Sequence, residues 1–419
     1  MGTKRWFGGA LGLAWMAWMV CGGLPTAVAE GPPASPVAPP TGDATNHRLL
    51  AEVVALERPR ILRKAALYSV EPPVTITAQA CPRSAGGAHD FFSEADYMWP
   101  DPENPTGPYK ARDGQTNPDN FVAHRHAMVR LSEIMGTLGS AYLLTGDEQY
   151  VRPAVVHLKA WFVDSATRMT PHLLYGQAVR GKETGRSIGI IDTIHLIEVA
   201  RAAELMQGSP AFPAADCAQV KQWFRAYLDW LTSHPYGKKE RVNGNNHEVC
   251  WAMQAAAFAR LVGDEGVLES IRSDFKNRML PLQMAPDGSF PRELRRTKPY
   301  GYSLFVMDAM AGVAQIASTP TDNLWTYSLA DGRSMRRGMD FLVPFIEDKT
   351  RWPGRQDIAH WNDWPVRQPC LVLAGVQLQE PAYIRIWERL EADPQDTEVR
   401  RNLPLRHPLL WLLPAPTPR

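Results

Sequence analysis

One turn occurs twice in this sequence and limits what the chain can fold into. Thr145-Gly146-Asp147-Glu148 and Val262-Gly263-Asp264-Glu265 each separate two stretches of helical pattern. A glycine there takes the left-handed conformation that closes a helix, and the aspartate behind it caps the next one. Two copies of one helix-hairpin turn imply a repeated αα unit. The periodicity agrees: Met128, Leu131, Ile134, Met135 and Leu138 fall at three-and-four spacing within a helix expected over His124–Leu144. Further helices are expected near Asn46–Leu67, Ile188–Met206, Ala214–Ser233, Val267–Met279, Tyr302–Ile316, Met335–Ile346 and Tyr383–Ala392. No segment reads as a run of alternating strands. The fold class is therefore all-α: stacked antiparallel helix pairs in an α/α toroid, incomplete or closed, with no interior domain boundary from residue 45 to 419.

The first residues read as an export signal. Lys4 and Arg5 precede the mostly apolar Phe7–Val20, and Ala27-Val28-Ala29 is a small-x-small cleavage site. Residues 30–44, rich in proline, read as a disordered linker. Loss of residues 1–29 removes Lys4 and Arg5 and no acid, taking the formal net charge from +1 to −1. Such a balance selects neither nucleic acid nor a membrane surface, so an acidic partner must be met by a local basic cleft. No obligate protein partner is implied. Cys81, Cys217, Cys250 and Cys370 remain after export, too widely spaced for a staple framework or a zinc site, and their pairing stays open.

The densest polar group lies in Arg241-Val-Asn-Gly-Asn-Asn-His-Glu-Val-Cys-Trp251, where a loop runs into a helix. Unpaired N–H groups at such a start suit an anion, and Asn246 and His247 add an amide donor and a titratable base. The bland alternative makes the asparagines a cap and His247 an ordinary first-turn residue. A second polar stretch is Thr167–Gln177, with Tyr175 and Gln177 as candidate substrate contacts, followed by Gly185-Arg-Ser-Ile-Gly189. A third holds Arg292, Arg295, Arg296 and Lys298 within seven residues, ahead of Tyr300 and Tyr302. The proline-rich Tyr68–Asn120 has almost no helical period; its His89, Tyr97 and Trp99 are candidates to line a sugar site. In His124-Arg125-His126 the histidines lie two apart on a helix and point to nearly opposite sides, so no metal is expected; one of them, His124, is a candidate substrate contact.

These residue types support β-elimination of a uronate polymer. Removing the C5 proton builds charge on the carboxylate, which cations and amide donors must hold. A base takes that proton and an acid protonates the departing glycosidic oxygen. Asn246 and an arginine fit the first task, and His247 and a tyrosine the second, the tyrosine pKa being lowered by neighbouring cations. Glycoside hydrolysis needs two carboxyl groups flanking the bond; Glu183, Asp192, Glu248 and Glu293 form no persuasive pair. A non-catalytic polyuronate-binding protein is the other alternative.

Ala88–Pro102, Ala141–Tyr150, Ala160–Gly181, Gly185–Asp192, Asn245–Gln254 and Pro286–Ser303 together resemble the alginate lyase superfamily over about Pro73–Ser318. The pattern is nearer to family 38 of the polysaccharide lyases than to family 5. The resemblance implies an α/α toroid, export, and elimination on alginate or glucuronan without cofactor or metal. It carries the paired Asn-His of the active site onto Asn246 and His247, the tyrosine onto Tyr302 and the arginine onto Arg296, with Arg295 and Lys298 competing for that cation's place. Gly301 stands where relatives commonly have histidine.

Overall fold

The computed structural model describes residues 44–414. The signal and nearly all of the linker lie outside the described residues; helix α1 already begins at the linker's last residue. The helices before the central site are α1 (Ala44–Tyr68), α2 (Ala123–Thr145), α3 (Val151–Phe162), α4 (Leu196–Met206), α5 (Ala214–Ser233) and α6 (Pro235–Arg241). Then come α7 (Asn246–Val262), α8 (Glu265–Asp274), the single turns α9 (Leu280–Gln283) and α10 (Pro291–Leu294), and α11 (Pro299–Ala317). The chain closes with α12 (Met335–Glu347), α13 (Pro369–Gln377), α14 (Pro381–Arg389), α15 (Thr397–Arg401) and α16 (Leu409–Leu412).

Six of these make an inner ring: α1 packs on α2, α2 on α4, α4 on α7, α7 on α11, α11 on α13, and α13 returns to α1. The expected toroid is thus closed. Its inner members α7, α11 and α13 are buried on every side, as their nearly unbroken apolar sequences require. The amphipathic α5, α8, α12 and α14 cover them from outside, each burying one stripe. Both hairpin turns form as expected, with Gly146 at φ 66° and Gly263 at φ 75°. Asp264 caps α8 directly, whereas Asp147 caps a 3-10 turn, Glu148–Tyr150, that leads into α3. The helix expected over Ile188–Met206 is a 3-10 segment, Ser187–Thr193, followed by α4. A π-helical stretch carries α8 on to Met279.

The long loop is ordered on the ring by short strands. β1 (Phe92–Glu94) pairs in parallel with β4 (Tyr175–Ala178), and β2 (Met98–Trp99) pairs antiparallel with β3 (Lys110–Ala111). This pairing brings the Tyr97 and Gln177 regions to the end of the ring where α7 and α11 begin. Among the described residues no helix is long and apolar enough to cross a membrane, and all four described cysteines are free thiols.

Candidate active site

The start of α7 is spoken for by the protein itself. Asn245 is the N-cap and its Oδ1 accepts from the His247 N–H at 3.0 Å. The Asn246 N–H and Nδ2 both donate to Glu293, at 3.2 and 2.8 Å, and the Glu248 N–H donates to the Asn245 carbonyl. The expected anion seat on free N–H groups is therefore absent, because capping groups and Glu293 satisfy them. What the helix start supplies is side chains.

His247 holds Nδ1 2.7 Å from Oε1 of Glu240, which is fully buried in the last turn of α6. Nδ1 then carries the proton and Nε2 is left with its lone pair for a ligand. The Asn243 amide donates to the other oxygen of Glu240 at 2.9 Å, so the carboxylate cannot swing away. Gly237 lets α6 come this close to the end of α5: a Cβ there would lie 1.9 Å from the Leu231 carbonyl oxygen.

Tyr302 sits in the first turn of α11. The Arg296 guanidinium lies 4.3 Å from its ring centroid and the Lys298 ammonium 5.3 Å. Its hydroxyl donates to the Tyr97 hydroxyl at 3.2 Å. Tyr97 in turn donates to Glu398 at 2.8 Å and accepts from Lys298 at 2.9 Å and Arg401 at 3.2 Å. Burial pushes the Tyr302 phenol well above its ordinary pKa, and Tyr97 adds to this; the lowering by Arg296 is smaller. The expectation of a lowered tyrosine pKa is thus corrected, since desolvation outweighs the cations. Burial also raises the Glu293 carboxyl, against Arg296 and the Asn246 hydrogen bonds.

These groups share a cavity of about 230 Å³ lined by Tyr97, Gln177, Arg186, Asn246, His247, Arg296, Tyr302, Arg401 and Asn402 among others. Lys298 is buried behind it on Glu398 and Tyr97. Five candidates are elsewhere. The His89 ring binds the Arg168 carbonyl at 2.7 Å and lines a different cavity beside Trp223. Trp99 donates to the Gln115 carbonyl and stacks under Arg112, pinning its own loop. His124 is buried between the Phe92 N–H and the Gln79 carbonyl, while His126 is exposed. The Tyr175 ring lies over Gly86, and Arg295 is exposed outside the cavity. Trp364 is buried and the partly buried Trp361 packs on Tyr300, so both side chains pack with the core rather than line this cavity.

Sequence reasoning passed over Arg186, Arg401, Asn402, Glu240 and Asp113. Arg186 stood inside a quoted loop. Arg401 and Asn402 close α15, far along the chain, with no local signal. Asp96 and Asp113 line the cavity but are held in ion pairs with Arg125 and Arg401, and with Arg296. No unpaired carboxyl couple faces this space among the described residues, which removes the footing for hydrolysis. A larger cavity, about 590 Å³, lies beyond Asp96 and Arg401, but it contains neither the imidazole of His247 nor Tyr302. At its edge His360 Nδ1 is 3.4 Å from Asp363 and 3.2 Å from Asp396, among the described residues the single cluster close enough to share a cation. Direct contacts of the imidazole with the two carboxylates account for the cluster equally.

A closed α/α toroid with an amide, an imidazole, a tyrosine and arginines around one cleft defines a polysaccharide lyase. The family model for alginate lyase matches residues 75–352. A crystal structure of an alginate lyase from Bacteroides ovatus is similar over 88% of this chain and 96% of its own, with 31% identity and a TM-score of 0.74. The chain belongs to the alginate lyase family. A histidine-to-alanine variant of alginate lyase A1-III complexed with tetrasaccharide matches 83% of this chain and 90% of its own, at 18% identity and a TM-score of 0.57. Alginate lyase A1-III from Sphingomonas species A1 matches 76% of this chain and 85% of its own, at 17% identity and a TM-score of 0.51. These two speak for the fold alone. Comparison with curated proteins gave no match.

Proposed function

We propose that the protein cleaves alginate, a 1,4-linked polyuronate, by β-elimination, with His247 as base and Tyr302 as acid. The observation that carries this reading is the pairing across one cavity of an imidazole seated on a buried carboxylate with a phenol kept protonated by burial. In this reading Nε2 of His247 takes the C5 proton, and the electron pair moves toward the carboxylate, where Asn246 and an arginine meet the growing charge. The C4–O4 bond then breaks, a C4=C5 double bond forms, and Tyr302 gives its proton to O4. Tyr97 accepts from Tyr302 and is tied to Lys298, Glu398 and Arg401, so the phenolate is left beside cations until a proton returns.

The test is ultraviolet absorbance of an unsaturated uronate, with the purified protein given polymannuronate, polyguluronate and glucuronan in parallel. A rise with either alginate polymer is expected. A rise with glucuronan alone moves the substrate to that polymer, and new reducing ends without absorbance overturn elimination. We also infer export, from Lys4, Arg5, the apolar Phe7–Val20 and the Ala27-Val28-Ala29 site; N-terminal sequencing of the mature protein should begin at Glu30.

A further inference from the structure

Three arginines line the cavity, and they are not equivalent. Arg296 is neutralised by Asp113, at 2.7 Å from Oδ1 and 3.2 Å from Oδ2. Arg401 is neutralised by Asp96 at 2.9 Å and Glu398 at 3.1 Å. Arg186 forms no ion pair among the described residues. Its Nε donates to the Gln177 carbonyl at 2.9 Å and one Nη to the Gln177 Oε1 at 3.3 Å, which leaves the other Nη group without a partner.

Of the acids that bear most on it, Glu183 is exposed and makes no ion pair with it, and Asp192 is tied up. Asp192 is held by Ser93 at 2.6 Å, by Gln177 Nε2 at 2.9 Å and by Arg125 at 3.3 Å. Gln177 therefore stands between the two, its Nε2 turned to the carboxylate and its two oxygens to the guanidinium. It does so at φ +50°, a left-handed conformation that a glutamine adopts at a cost of about 1 kcal/mol or more. A half-buried guanidinium held from one side by neutral acceptors, its other edge on the cleft, is short of one anion. Its planar fork matches a carboxylate.

We propose that Arg186 is the cation that takes the carboxylate of the uronate undergoing elimination, and that Arg296 acts on Tyr302 instead. This rests on the elimination reading above and deepens it. A paired arginine offers the substrate little net charge, because its own acid competes for the same N–H groups. Arg186 has no acid within ion-pair distance among the described residues, Glu183, Asp192 and Glu240 acting on it only from further off, and its attraction for the carboxylate grows as charge moves there from C5.

The experiment compares polyuronate with its methyl ester, in wild type and Arg186→Ala. An ester has no charge to neutralise, and its C5 proton is already more acidic. Arg186→Ala should lose about 10²–10³-fold in kcat/KM on the free acid. On the methyl ester the loss should stay within about tenfold, and added guanidinium ion should restore part of the free-acid rate. Arg186→Lys, which keeps the charge and is the fallback if the alanine variant does not fold, should fall between wild type and Arg186→Ala with the same bias toward ester. Equal losses on both substrates, or a wild-type rate on the free acid, would overturn the proposal. A wild-type protein that gives no unsaturated product would overturn the elimination reading itself, a separate result.

Discussion

The two walls of the cleft are backed by opposite charges. Behind His247 and Asn246 stand the buried carboxyl groups of Glu240 and Glu293. Around Tyr302 and Tyr97 stand Arg296, Lys298 and Arg401. In an elimination the base becomes a cation and the acid becomes an anion. Each reactive group thus has against it side chains of the sign opposite to the charge it acquires, although on the tyrosine wall Asp113, Asp96 and Glu398 already pair those cations. A dry, fixed arrangement of dipoles of that kind favours the charge-separated transition state over the neutral start. Burial of Tyr302 fits the same logic, since it keeps the phenol protonated until the leaving oxygen claims the proton.

Removing the reactive group from the acid-backed wall should have the largest effect. His247→Ala is expected to lower kcat by about 10³–10⁴-fold with little change in melting temperature, since the side chain is partly exposed and its main-chain hydrogen bond stays. Stopped assays of unsaturated product alongside circular dichroism would check this, and a loss under tenfold would remove His247 from the base's role. On the opposite wall, Tyr302→Phe keeps the ring beneath Arg296 and deletes only the proton donor. A fall of about 10²–10³-fold in kcat is expected. Leaving-group dependence sharpens the assignment: a substrate with a good leaving group at C4 should recover much of the loss in Tyr302→Phe and little of it in His247→Ala.

Glu240→Gln tests the backing rather than the group. Glutamine keeps the volume but has no charge to set against the imidazolium, and its amide can turn to donate to Nδ1, moving the imidazole proton to Nε2. An effect of about 10–100-fold on kcat is expected, with the pH–rate profile displaced relative to wild type. An unchanged profile would mean that Glu240 merely fills space.

What was readable in the sequence followed distance along the chain. Asn246 and His247 fall on one helix start, and Arg296, Lys298 and Tyr302 on one helix entry, so a local pattern carried them. The repeated Gly-Asp turns likewise announced paired helices, though the return of α13 to α1 depends on packing between segments some 300 residues apart. From sequence Tyr97 is a candidate to line a sugar site; in the fold its hydroxyl meets Lys298, Glu398 and Arg401, each two hundred or more residues away. The sequence offers Arg296, Arg295 and Lys298 for the cation's place; Asp113, from a different loop, takes Arg296 out of that count and leaves the role to Arg186. His89, Trp99 and His124 had the right chemistry for a sugar site, but each had a nearer main-chain partner. Composition shows which groups are present, and only the fold shows which are already satisfied.

The smallest effect expected is at Glu293, where activity and stability should part. Its carboxylate accepts from both the N–H and the amide of Asn246 and thereby aims that amide. In Glu293→Gln one oxygen still accepts, but the new NH₂ faces the Asn246 amide and is best met if that amide turns its oxygen inward. The hydrogen bonds survive while the donor direction is altered, so kcat/KM should drop only about tenfold. Stability moves the other way. Burial raises the folded-state pKa of Glu293 above its unfolded value, so its favourable contribution is full below about pH 4.3 and is lost as pH rises through the folded value. The glutamine variant has no charge to bury. Its melting temperature relative to wild type should therefore increase from pH 4 toward pH 8, the reverse of a simple lost hydrogen bond. A variant that is least stable, relative to wild type, at the alkaline end would show that the carboxylate is held there by more than Asn246 and Arg296, and the acid-backed wall would then be a structural ion pair rather than a device for catalysis.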